Sequence, residues 1–266
     1  DERGVNIPPY LPNEPEVAKE LAELQGAIFA MDQAVGRILD ALNARDDAAD
    51  TWVVFTTDHG LALPRAKATM YDAGLGVALI MRWPAARLTG GRTLERLTSH
   101  VDIVPTLLEG LGVPQPDGLH GRSAWGDLTG GQSHAADLVF AEKTFHTAYE
   151  PMRAVRDGRY KLIANLEVDI MNIPGDTLRS PITALMVDEI AQERPPLELY
   201  DLENDPEERV NLAGDPTYAA VRRRLADALT AWMRDTNDPV LRGPVGSPYR
   251  SAALASLGLQ DSEGPK

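Results

Sequence analysis

Cysteine is absent from the 266 residues, so neither disulfides nor thiolate metal sites are available. Chains without cysteine occur in reducing and oxidising compartments alike, and the compartment stays open between cytoplasmic and periplasmic or secreted. No apolar run approaches the roughly 18 residues that cross a membrane as a helix. The N-terminal Asp1-Glu2-Arg3-Gly4 is polar and lacks the apolar core of a signal peptide. Basic residues are scarce: 26 Lys and Arg stand against 40 Asp and Glu, for a net charge of -14. Such a surface repels nucleic-acid phosphates and anionic membranes, and neither is expected as a partner. It also repels polyanionic substrates at long range, so a site for one needs a local cluster of cations or a metal ion. The remaining composition, 43% hydrophobic and 25% charged, is that of a soluble globular protein. The length suits one large domain, or a medium domain plus a small one.

The stretch Asn6 to Pro15 holds four prolines and reads as an extended surface segment. A helix should follow, with Asn13 as N-cap, Pro15 in the first turn and Glu16 three residues after the cap. Leu21, Leu24, Ile28, Met31, Val35, Ile38 and Leu42 recur at helical spacing, which predicts a long amphipathic helix lying on something large. The polar loop Asn43 to Asp50 ends it. Thr51 to Thr57 is a continuous apolar and β-branched run. It reads as a strand buried on both faces, as in a parallel sheet covered by helices. A second such strand spans Gly76 to Arg82 and stops at Trp83-Pro84, and a helix covers Val101 to Leu111 with Gly112 in its last turn. Helix, strand, loop, strand, helix is the order of an α/β layer fold.

After about Gly130 the pattern changes. Leu138 to Lys143, Met152 to Arg156, Tyr160 to Asn165 and Leu197 to Leu202 read as strands, with Asp157-Gly158 as a hairpin turn. They predict a small antiparallel sheet. Asp215-Pro216 then caps a helix with Tyr218, Val221, Leu225, Leu229 and Trp232 on one face. The expected organisation is an α/β part over 1–130, a small α+β subdomain over 131–240 and an irregular tail over 241–266.

Asp58-His59-Gly60 follows the first strand directly, at the edge where open α/β sheets bind ligands. A carboxylate and an imidazole there can converge on one cation, and Gly60 lets the backbone turn away. The plainer alternative makes Asp58 a turn cap and His59 a surface residue. Arg65 and Lys67 stand in the loop that follows, where an ammonium or a guanidinium fork can hold a sulfate or phosphate. Solvated loop cations are the alternative.

Val53 to Gly60, followed by Lys67, Tyr71, Asp72, Gly74 and Leu79 to Pro84, resembles the sulfatase family of the alkaline-phosphatase superfamily. Further matches follow in the family's order: Ala27-Ile28 through Leu39, Asp102 to Leu108, Pro151 to Arg156, Tyr160 to Asn165, and Glu198 to Leu202 with Asp205-Pro206 and Asn211-Leu212. The resemblance covers roughly residues 16 to 235. It implies an alkaline-phosphatase-like α/β fold: part of a mostly parallel sheet flanked by helices, then a small C-terminal antiparallel sheet with a packed helix. It also implies hydrolysis of a sulfate ester or N-sulfate on a sulfated small molecule or glycan, with a calcium ion. A formylglycine hydrate, made from Cys or Ser after translation, attacks sulfur. On that pattern Asp58 and His59 are metal ligands, and Lys67 touches the sulfate oxygens. Calcium prefers oxygen, so His59 is the less certain ligand and is also a candidate sulfate contact. The loop from Leu63 to Lys67, the Glu142 to Pro151 stretch and the insertion before Leu197 resemble the heparan N-sulfatase (sulfamidase) branch. There Glu142 and His146 would line the substrate pocket, or His146 simply sits in a surface loop.

The family nucleophile lies in Cys- or Ser-x-Pro-x-Arg. Ser247-Pro248-Tyr249-Arg250 has proline in the wrong place, and Asp46-Asp47 lies in a polar loop instead of at a strand end. The expectation is therefore the C-terminal portion of a sulfatase, with paired Asp ligands and nucleophile in a missing N-terminal part of the domain. Two alternatives stay open: a phosphodiesterase or phosphonate hydrolase of the same superfamily, and a noncatalytic carbohydrate-binding or scaffold fragment.

Overall fold

A computed structural model describes residues 4–133, 136–167, 171–247 and 249–259. Parts of the expected tail (260–266), of the N-terminal tetrapeptide (1–3) and of the rejected Ser247 motif (Pro248) lie outside the described residues. Helix α1 spans Pro15–Asn43. Pro15 occupies its first turn, but Glu14 takes the flanking position and no side chain caps the helix. Only Val17 and Leu21 of α1 are buried. They join Tyr10, Leu11, Leu63 and Ala66 in one core. Farther along, Ile28, Phe29, Met31 and Ile38 are exposed, Ile38 by 68%. The apolar stripe that sequence periodicity assigns to a large partner thus lies largely open.

Strands β1 (Val53–Thr56) and β2 (Leu79–Arg82) follow, separated by the short helix α2 (Asp72–Leu75). They pair antiparallel, Val53 opposite Arg82 and Thr56 opposite Leu79. This corrects the expectation of parallel strands buried on both faces. The connection zips up on itself, Thr57 N–H donating to Ala78 O and Gly60 N–H to Gly74 O, so the chain returns beside β1 in the opposite direction. A parallel neighbour needs a crossover element instead. Burial is partial, and Ile80 is 62% exposed. Among the described residues every strand pairing is antiparallel. Sheets of mainly parallel strands often carry an antiparallel edge.

Helix α3 (Ile103–Gly110) and helix α4 (Trp125–Thr129) close this part. Trp52 stacks on Trp83 at 4.9 Å, and Trp125 packs on both, joining the start of β1, the end of β2 and α4.

Strands β3 (Val139–Phe145), β4 (Tyr149–Arg156), β5 (Tyr160–Asn165) and β6 (Leu197–Asp201) form the small antiparallel sheet, in that order. Asp157 builds the expected turn between β4 and β5, its Oδ1 accepting from Arg159 N–H and Tyr160 N–H. Two short helices, α5 (Pro181–Leu185) and α6 (Val187–Ile190), lie in the insertion before β6. Helix α7 (Ala219–Asp235) sets Leu225, Leu229 and Met233 against Val155, Leu162 and Leu199. Each fully buried side chain of this size contributes about 1.5–3 kcal/mol. The tail is not wholly irregular, since Arg250–Ser256 forms helix α8. No helix among the described residues is long and apolar enough to cross a membrane.

The alternation of strand side chains decides what the sheet carries. One face holds α7. The other presents Met152, Ala154, Ile163 and Tyr200, which pack on Met70 and Tyr71 from the loop after β1. That loop is therefore mounted on the second sheet, across the boundary that sequence composition places near residue 130.

Candidate active site

Strand β1 delivers Asp58 and His59 to one place. Asp58 Oδ1 accepts from the His59 backbone N–H at 3.0 Å, and Asp58 Oδ2 lies 3.3 Å from His59 Nε2. His59 Nδ1 lies 2.6 Å from Gly60 O. A carbonyl only accepts, so Nδ1 carries a proton in this contact, and Nε2 is the ring nitrogen that lies near the Asp58 carboxylate. A carboxylate oxygen and an imidazole nitrogen that close can meet a single cation. The Asp58 side chain is 86% exposed, so the pair is open to groups from outside. Among the described residues no group of three or more His, Asp or Glu side chains is arranged to hold a metal ion. Calcium takes six to eight oxygens, so Asp58 and His59 form at most one side of such a site.

Gly60 has a steric reason different from free turning. A Cβ on Gly60 would lie 1.8 Å from Ala73 O, so the start and end of the loop touch through backbone alone. Arg65 and Ala68, on either side of Lys67, both adopt left-handed backbone with φ near 60°. Non-glycine residues pay for that conformation, which persists where surroundings over-determine it and often marks functional loops.

The surroundings here are ionic. Lys161, 1% exposed in its side chain, pairs with Asp72 and with Glu208 and donates to Met70 O. Arg156 also pairs with Asp72. Glu208 Oε2 accepts from Asp72 N–H at 2.5 Å, and burial pushes the Glu208 carboxyl above the ordinary range. Glu198 accepts from Tyr71, Tyr200 and Asn165. Burial and this carboxylate raise the Tyr71 phenol. Lys143 Nζ donates to Ala68 O while pairing with buried Glu150, and desolvation lowers its pKa. The loop thus hangs from β3, β5 and β6.

The other expected site residues are placed differently. Lys67 does point to an anion, but the anion is Asp176, at 2.5 Å. Arg65 turns inward, over the Tyr71 ring at 4.3 Å and onto Glu189 and Glu208 O, so it is occupied as a strut. Glu142 is exposed on β3 and sits 3.5 Å from Arg153 Nε. His146 is exposed in the β3–β4 turn beside Thr147. Among the described residues neither Glu142 nor His146 pairs with Asp58, His59 or Lys67; their partners are Arg153 and Thr147. Sequence reading missed Lys161, Glu198, Glu208 and Lys143. For Lys161 and Glu198 the signal is a charged residue set between apolar neighbours in a strand, which strand alternation turns inward; Lys143, beside Glu142 and Thr144, and Glu208, in the loop after β6, carry no such signal.

Comparison with known proteins gives two overlapping family matches. The model described as Sulfatase matches residues 4–113, and that described as N-sulphoglucosamine sulphohydrolase, C-terminal, matches residues 59–173. The chain belongs to the sulfatase family. N-sulphoglucosamine sulphohydrolase of Homo sapiens is 29% identical over 272 residues, covering 92% of this sulfatase chain and 54% of the relative. A solved 2-O GAG sulfatase superposes with a TM-score of 0.64 at 25% identity, over 83% of this chain and 44% of that one. The phosphonate monoester hydrolase of Agrobacterium radiobacter superposes at 0.58 with 28% identity, over 77% and 39%. The fold is thus α/β and alkaline-phosphatase-like, with the small antiparallel sheet and its helix. The sulfatase chain spans about half the length of the curated relatives it matches, 40–54% of the first three.

Proposed function

We propose that this chain is the C-terminal portion of a sulfatase acting on sulfate esters or N-sulfate groups of a sugar. Asp58 and His59 would form one side of its calcium site. The remaining ligands and the formylglycine nucleophile would come from a preceding segment of the domain. The observation that carries the reading is the Asp58–His59 pair, whose Oδ2 and Nε2 lie 3.3 Å apart, within reach of one cation, on a carboxylate open to solvent. When bound, calcium supplies charge that stabilises the transferring sulfuryl group. This chain's own contribution is to orient His59 through Gly60 O and to offer the Lys67 ammonium to sulfate oxygens. Glu142 and His146 would line the sugar side. On this reading residues 1–130 belong to the catalytic domain and 131–240 form the subdomain that carries its loop. The open stripe of α1 and the exposed Ile80 are surfaces for the preceding segment to cover.

Calorimetric titration with calcium tests the metal side. Asp58→Ala is expected to weaken binding about tenfold or more, whereas a noncatalytic sugar-binding scaffold would bind or ignore calcium equally in both proteins. A second test is turnover. The chain by itself is expected not to hydrolyse an aryl sulfate, and measured turnover free of contaminating enzyme would overturn the split of the site between two segments. The likeness to a phosphonate monoester hydrolase favours one second reading, phosphonate or phosphodiester hydrolysis on the same metal chemistry. The reading frame upstream bears on the choice, because Cys- or Ser-x-Pro-x-Arg after a strand ending in Asp-Asp favours sulfate hydrolysis, and a plain Thr or Ser nucleophile elsewhere favours phosphate.

A further inference from the structure

Lys67 is the loop cation left for an anionic group once Arg65 is tied down, and the structure shows which group pairs with it. Its side chain is only 17% exposed, so its ammonium is partly stripped of water and needs a counter-charge. Asp176 supplies it, Oδ2 lying 2.5 Å from Nζ. Asp176 comes from far along the chain, in the insertion between β5 and α5. Its other oxygen accepts from Thr177 N–H at 2.9 Å, which anchors the carboxylate at the backbone. The side chain is 47% exposed, so it has solvent to turn into. The Lys67 ammonium holds the Asp176 carboxyl below its usual range.

We infer that Asp176 is a built-in counter-ion that occupies Lys67 in place of the substrate's sulfate and is displaced when a sulfate group arrives. This rests on the reading of Lys67 as the sulfate-binding cation. A carboxylate and a sulfate cannot share one ammonium without repelling each other, so binding of one weakens binding of the other. The exchange keeps the ammonium in place between turnovers. It also sets a threshold: weakly held anions fail to displace a tethered carboxylate, whereas a sulfate fixed by further contacts succeeds. The insertion that carries Asp176 therefore tunes anion affinity without contacting the sulfate.

The test uses the whole chain and inorganic sulfate, at constant ionic strength balanced with chloride. Acetylation of Lys67 by acetic anhydride is followed by mass spectrometry. Without sulfate, Asp176→Asn is expected to speed labelling several-fold, because the amine loses its tether. The sulfate concentration giving half-protection is expected to fall about two- to fivefold in Asp176→Asn, the range for a partly exposed ion pair. Asp176→Glu keeps the charge and is expected to stay near the parent protein in both measurements, so a general loosening of the loop, which would affect both variants, is told apart. Equal half-protection in the parent and Asp176→Asn overturns the counter-ion role while leaving sulfate at Lys67 intact. No protection of Lys67 in any of the three proteins overturns both.

Discussion

Replacing Lys161 by methionine is expected to destabilise the protein by about 3–5 kcal/mol. Lys161 is buried to 1% side-chain exposure, and its two carboxylate partners belong to segments distant in sequence, Asp72 in the loop and Glu208 after β6. Removing the ammonium leaves the Glu208 carboxylate, 2% exposed, without its cation. It also sets Glu208 against Asp72, whose backbone N–H and side chain it adjoins. Burying an uncompensated charge is the costliest of the common point changes. Arg156 stays on Asp72 and limits the damage there. The paired change Lys161→Met with Glu208→Gln is expected to recover a good part of the loss, because neither ion is then buried alone. Urea denaturation measures both, with an unchanged slope showing that stability and not the transition type has altered. A single-variant loss below about 1 kcal/mol would show that the network is screened like a surface pair.

Gly60→Ala is expected to spoil the loop more than the fold. The new Cβ meets Ala73 O at 1.8 Å and Ala73 C at 2.8 Å, both backbone atoms with no flexible end to yield. The chain must part there, and the Gly60 N–H to Gly74 O bond goes with it. A global loss of about 1–3 kcal/mol is expected for overpacking of this kind. The local effect is larger, because His59 is held by Gly60 O and moves with it. Amide hydrogen exchange over residues 60–75 should speed up strongly, and on the calcium reading the affinity should fall at least as far as in Asp58→Ala. Gly26→Ala serves as the contrast: its Cβ meets nothing within 4 Å in α1, and a gain of about 0.5–1 kcal/mol is expected. Unchanged exchange in Gly60→Ala would show that the backbone relaxes without cost.

Much of the local structure was legible in the residues. Periodicity placed α1, α7 and the four strands of the small sheet within a few positions, because each has an apolar face that only one repeat satisfies. Asp157-Gly158 and Asp215-Pro216 announced a turn and a helix start through their own hydrogen bonds. The sulfatase resemblance was carried by short motifs in a fixed order. Asp58-His59 stood out because it follows a strand immediately. The partners of the motif residues were not legible. Nothing in the sequence near Lys67 points to Asp176, and nothing near Asp72 points to Lys161 or Glu208, because those contacts span more than eighty residues. Strand direction escaped for a similar reason: an apolar run records burial, not which neighbour it pairs with.

The sequence by itself determined the family, the order of the long helices and of the strands, and the presence of a carboxylate–imidazole pair at a strand end. These depend on side chains within one turn or one strand of each other. Only the tertiary structure decided that β1 and β2 run antiparallel and that the loop after them is fixed to the second sheet by buried ions. It also decided that Lys67 meets a carboxylate from the insertion. Those outcomes depend on strand alternation turning Lys161, Glu198 and Tyr200 toward the loop. They depend as well on desolvation, which makes a half-buried ammonium seek the nearest available anion.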